Sequence, residues 1–115
     1  MLEIKTEFRR GIFFVRLEGS LVKNTVNLLE KEVTNLIESN GFKNIVFNVE
    51  KLNYIDLKGI NALFYNYEKL NKNKIKLMMC GINNETVKNK LKKSRILNYM
   101  YEISDEFEAF NLVIV

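Results

Sequence analysis

Apolar residues alternate with charged or polar ones from the first residues of the chain. Leu2, Ile4, Thr6 and Phe8 share one side of a half-buried strand. Arg9-Arg10-Gly11 reads as a tight turn, and Ile12 to Leu17 as the returning strand of a hairpin, ended by Gly19-Ser20. The loop Leu21-Val22-Lys23 leads to Asn24 or Thr25, either of them suited to cap a helix. Val26, Leu29, Val33, Leu36 and Ile37 then recur at steps of three and four, which predicts one apolar helical stripe, closed by Gly41. Ile45 to Val49 is β-branched and almost continuously apolar, as a central strand covered on both faces should be. Glu50 to Ile55 is expected to be a connection that closes on Asp56.

A second amphipathic helix follows, with Ile60, Leu63, Phe64, Tyr67 and Leu70 on its inner side and Asn71-Lys72-Asn73 at its end. Ile75, Leu77 and Met79 alternate in a strand that finishes at Cys80-Gly81. A basic third helix begins near Asn84, with Val87 and Leu91 inward. Ile96 to Ile103 fits either a helix or an extended chain. Asp105 followed by Glu108 suggests a capping box for a short last helix, and Leu112 to Val115 a terminal strand. Strands alternating with helices imply right-handed crossovers. The expected fold is α/β, a single domain over residues 1–115. Its sheet is mixed and mostly parallel, of four to five strands, with an N-terminal hairpin and about four helices.

Composition narrows the chemistry. The 115 residues contain no histidine, the side chain most used for proton transfer near neutrality, and only one cysteine. A zinc site would have to rest on carboxylates alone. Gly-rich phosphate loops, nucleophile elbows and paired carboxylates are missing from the sequence, so neither an enzyme nor a cofactor is expected. The single Cys80 suits a buried strand thiol in a reducing compartment. No apolar run approaches the roughly 20 residues that cross a bilayer. The alternating N-terminus does not resemble a signal peptide, so the expected location is the cytoplasm, without membrane insertion. A formal charge of +4 is too modest to point to nucleic acid. The run Lys88, Lys90, Lys92, Lys93 and Arg95 reads as a solvated face, since no aromatics are interleaved with it.

The start of the second helix is harder to explain by stability. Asp56 needs no role beyond the cap. Gly59, near the third helical position, costs up to ~1 kcal/mol relative to alanine, so either the backbone approaches another element there or a partner docks against it. Lys58 places a cation where the helix dipole disfavours one. Leu57 beside it would be an apolar contact centre if exposed.

These residues and the element order resemble the STAS domain family, whose founding members are bacterial anti-sigma factor antagonists. Tyr54-Ile55-Asp56 and Gly59-Ile60 match the family's frame of an apolar residue, Asp, Ser, Ser or Thr, and Gly. Gly19-Ser20-Leu21 and Thr25 match its earlier loop of Gly, any residue, Leu or Ile, Asp, two residues and Thr. Met78-Met79-Cys80-Gly81-Ile82 resembles its fourth strand entering the third helix. The departures are as informative. Leu57 stands where the sporulation-type antagonists carry a phosphorylated serine, Lys58 where Ser or Thr is usual, and Val22 where the loop has Asp.

The resemblance implies a non-catalytic interaction module that binds a serine-kinase-like anti-sigma factor and so regulates sigma-factor-dependent transcription. Its implied contact residues are Ser20, Val22, Lys23, Thr25, Asp56, Leu57, Lys58, Gly59 and Asn61. A phosphate adds about −1.5 to −2 charges to such a surface, and Leu57 cannot carry one. Binding is therefore expected not to be switched at that position. The alternative, implied by other single-domain members, is an accessory subunit of a membrane lipid or ABC transporter.

Overall fold

The computed structural model describes residues 1–39 and 41–113. The alternating N-terminal stretches pair as an antiparallel hairpin, β1 (Leu2–Arg9) with β2 (Ile12–Leu21). Arg10 and Gly11 join them with φ of +50° and +83°, the two left-handed residues of a type I′ turn. The remaining strands are parallel: β3 (Asn44–Ile55) beside β2, β4 (Lys76–Cys80) beside β3, and β5 (Tyr101–Glu102) beside β4. Their spatial order is β1-β2-β3-β4-β5.

Each crossover between the central strands carries a helix. The helices are α1 (Val26–Ser39), α2 (Leu57–Lys72) and α3 (Glu85–Ser94), with α4 (Glu106–Leu112) following β5. The first three cover one face, where Leu29, Leu63 and Val87 pack with Val15, Phe47 and Met79 in the main core. The other face carries a smaller cluster, in which Ala109 and Phe110 of α4 meet Phe14, Val46 and Met78. Apolar side chains on both faces account for the near-continuous hydrophobicity of Ile45–Val49 and Leu77–Cys80.

Several expectations are corrected. Gly19-Ser20 does not end β2, and Glu50 to Ile55 is not a connection. Both stretches are strand, paired in parallel as far as Leu21 with Ile55. Register shifts between Arg16 and Glu18 and between Gly19 and Ser20 break the alternation. Burial on β3 then falls at Val49, Leu52 and Ile55, every third residue. The ambiguous stretch Ile96 to Ile103 divides into a 3₁₀ turn, Ile96–Asn98, and β5. Leu112 closes α4 instead of opening a strand, and residues 114 and 115 lie outside the described residues. Because β2 and β3 outrun β4, the loop before α1 and the start of α2 leave the sheet side by side.

Candidate functional site

Asp56 joins these two exits. One carboxylate oxygen accepts the Gly59 N–H at 2.8 Å, capping α2, and the other accepts the Lys23 N–H at 3.1 Å across the gap. Its own N–H donates to the Leu21 carbonyl at 3.3 Å. One acidic side chain thus serves as helix cap and as tether between two segments 33 residues apart.

Thr25 precedes α1 but does not cap it as a forward-facing threonine would. Its hydroxyl turns back into the loop, accepting the Val22 N–H at 2.9 Å and donating toward the Ser20 carbonyl at 2.8 Å. The Thr25 and Val26 N–H groups both donate to the Val22 carbonyl. Thr25 is buried, so its contribution is to hold Val22 and Lys23 in place. Val22 and Ser20 are half-buried, and Lys23 is exposed.

Gly59 is buried. A Cβ at this position would overlap the Leu21 carbonyl oxygen and lie 2.6 Å from the Ile55 side chain. Close approach of α2 to the ends of β2 and β3 therefore accounts for the glycine, and it offers no side chain to a partner.

Around this fixed frame the outward side chains are unlike those of a helix start built for stability. Leu57 is 73% exposed, and Lys58 and Asn61 are exposed as well. The first turn of α2 contains no acidic residue. Among the described residues, no carboxylate forms an ion pair with Lys58. Two shallow grooves flank the helix. One of about 340 Å³ runs between Leu57, Ile60 and the basic residues Lys90 and Lys93 of α3. The other, of about 290 Å³, lies between Lys58, Asn61, Tyr65 and Val26 with Glu30 of α1. Lys90 is not simply solvated. Its ammonium sits 4.2 Å from the centre of the Tyr54 ring and 3.1 Å from the Tyr54 hydroxyl, which fixes a cation beside Leu57.

A second polar centre, on the opposite face, has no local signal in the sequence. Arg16 of β2 donates two hydrogen bonds to Glu106 at 2.9 and 2.8 Å and a third to Glu7 at 2.9 Å. Asn48 of β3 donates to the same Glu106 at 2.8 Å. The Arg16 guanidinium holds the Glu106 carboxyl below its usual range. This clamp fastens the first turn of α4 to the sheet. Cys80 nearby is buried, and loss of solvation pushes its thiol up to about 12, far from a reactive thiolate. Among the described residues, no three Cys, Asp or Glu side chains are grouped so as to hold a metal ion, and no helix is long and apolar enough to cross a membrane.

The architecture has counterparts of known structure. The anti-sigma factor antagonist SpoIIAA in its unphosphorylated form superposes with a TM-score of 0.80 at 22% identity, covering 98% of this chain and 99% of that one. An anti-sigma factor antagonist from Mycobacterium paratuberculosis gives 0.81 at 16% identity, over 98% and 94% of the two chains. A sulfate transporter family protein from Wolinella succinogenes gives 0.75 at 13%, over 92% and 87%. At these identities the likeness is one of fold. Membership rests on the sequence itself: residues 3–109 match the STAS domain model, and the chain belongs to the STAS domain family.

Proposed function

We propose that the chain is an anti-sigma factor antagonist that binds a serine-kinase-like anti-sigma factor through the rim formed by the α2 start and the loop before α1. The observation that carries this reading is the exposed Leu57, held on a rigid, internally satisfied frame and flanked by Lys58 and Lys90. Interface energy concentrates in a few side chains that a partner fully desolvates, and Leu57 is the side chain on this rim placed to be one. Val22 and Lys23 extend the same rim, and Asn61 continues it along α2. The surface favours an acidic partner patch with an apolar centre.

The binding is constitutive with respect to position 57. A family serine there would be phosphorylated by the partner and released; Leu57 has no hydroxyl to accept phosphate. Thr25 does not substitute for it, since its hydroxyl is buried, accepts the Val22 N–H and shares its one hydrogen between the Ser20 and Val22 carbonyls. Incubating the chain with its anti-sigma factor and ATP, then mapping phosphate by mass spectrometry, tests this. An intact complex without phosphate at residues 56–59 is expected. ATP-driven release with phosphate in that peptide would refute it.

The likeness to a sulfate transporter family protein supports a second reading, an accessory subunit of a membrane transporter. The same rim would then dock on a transporter ATPase subunit. Affinity capture with the wild-type chain, compared with Leu57→Asp as a control, identifies which partner depends on the rim.

A further inference from the structure

β1 is an edge of the sheet: β2 pairs with one of its sides, and among the described residues no strand pairs with the other. Natural edge strands are normally shortened, bulged, interrupted by proline, covered or loaded with charge, because a free edge invites another strand. β1 uses charge alone, at Glu3, Lys5, Glu7 and Arg9, so the strand it admits is one of matching signs. This edge has eight residues, an unbroken register with β2 and no proline in the chain. The hairpin geometry determines which main-chain groups face outward. Arg9 and Ile12 close the two-residue turn, and the Met1 carbonyl accepts the Ser20 N–H at 2.8 Å. Odd-numbered residues therefore direct their N–H and C=O groups toward β2, and Ile4, Thr6 and Phe8 direct theirs outward.

The side chains add a sign pattern. Glu3, Lys5, Glu7 and Arg9 project on one face in the order minus, plus, minus, plus. Two copies of β1 placed antiparallel about a two-fold axis through Thr6 pair residue i with residue 12 − i. That register sets Glu3 opposite Arg9 and Lys5 opposite Glu7. It also aligns Ile4 with Phe8 as hydrogen-bonded pairs, which uses the outward main-chain groups. A shift of the axis by one residue either way sets Lys5 opposite Lys5 or Glu7 opposite Glu7. On the other face Phe8, 52% exposed although its ring lies 4.7 Å from that of Phe13, gains the partner's Ile4 as cover.

We propose that β1 is a self-complementary edge through which two copies of this chain associate, joining their sheets into one of ten strands. The charges on β1 already pair within the chain, Lys5 with Glu3 and Glu18, and Glu7 with Arg9 and Arg16. Glu3, Lys5 and Arg9 nevertheless stay about half-exposed or more and can add contacts to a partner strand. The edge is a different surface from the α2 rim, so each copy keeps that rim. A contact of one strand per copy is small, so the dimer is expected to be a weak one.

Sedimentation velocity over a concentration series at low salt tests it, using a charge-swap set on Glu3 and Arg9, which face each other in this register. Glu3→Lys and Arg9→Glu each create two like-charged pairs and are expected to raise the dimer dissociation constant about tenfold. The double variant restores opposite charges and is expected to return it to near the wild-type value, which also shows that neither change acts by unfolding the hairpin. A monomer at all concentrations to about 1 mM overturns the proposal. So does a dimer that ignores the single reversals, or single losses that the double variant does not repair.

Discussion

Two helices of this chain start in the same way and are finished differently. At α4, Asp105 accepts the Glu108 N–H at 3.0 Å, and at α2, Asp56 accepts the Gly59 N–H at 2.8 Å. After that the α4 start follows the helix dipole. Glu106 is clamped by Arg16 and Asn48, and Glu108 turns back to the Ser104 N–H and hydroxyl. The α2 start has Leu57 in solvent, Lys58 against the dipole and Gly59 without a side chain. Stability explains Asp105, Glu106 and Glu108 of the first, leaving only Phe107, itself 76% exposed, and in the second it explains only Asp56 and Gly59. What remains, Leu57 and Lys58, is the part that a partner would read.

The comparison can be pressed hardest at Gly59. Gly59→Ala drives a methyl group into the Leu21 carbonyl and is expected to destabilise the fold by about 3 kcal/mol in urea unfolding. A neutral result would mean that α2 is not held against β2 as described. At the other start, Glu106→Gln is expected to cost about 1–2 kcal/mol, reduced from the value for a buried pair because both partners are partly exposed. Its pH signature is specific. The folded-state pKa of Glu106 lies below its ordinary 4.5, so its contribution is complete above that value and disappears as pH falls through the folded pKa. The Gln variant should therefore show a shallower loss of stability on acidification, and an unchanged acid profile would contradict the clamp.

Asp56→Ala and Asp105→Ala compare the caps themselves. Each is expected to cost about 1 kcal/mol, but only the first should also loosen the loop, seen as faster amide exchange at Lys23. The smallest effect has the opposite sign. Lys58→Glu relieves the dipole mismatch and should stabilise the chain by about 0.3 kcal/mol while weakening partner binding. Gain of stability with loss of binding is the mark of a residue kept for contact.

Legibility in the sequence followed how local each cause was. The stripes of α1 and α2, the caps Asp56 and Asp105 and the start of α3 near Asn84 depend on residues within a turn of one another, and they appear where the spacing places them. The extension of β3 to Ile55 did not, because its cause is a bulged pairing with β2 that turns alternation into a three-residue step. Gly59 stood out as unexplained, yet the choice between close approach and docking needed the position of Leu21. The Arg16–Glu106 pair spans 90 residues and had no signal beyond an arginine in an apolar strand. The reversed hydroxyl of Thr25 was equally hidden, since a threonine before a helix reads as a cap.

The central claim is that the α2 start is a contact surface without a phosphate switch. Calorimetric titration of the chain against the proposed anti-sigma factor partner, with and without ATP, tests it most directly, alongside Leu57→Asp. The account predicts one dissociation constant for the wild type in both conditions, and at least tenfold weaker binding once a charge replaces the leucine. Wild-type affinity that falls with ATP while phosphate appears at the rim would contradict it, as would Leu57→Asp binding unchanged.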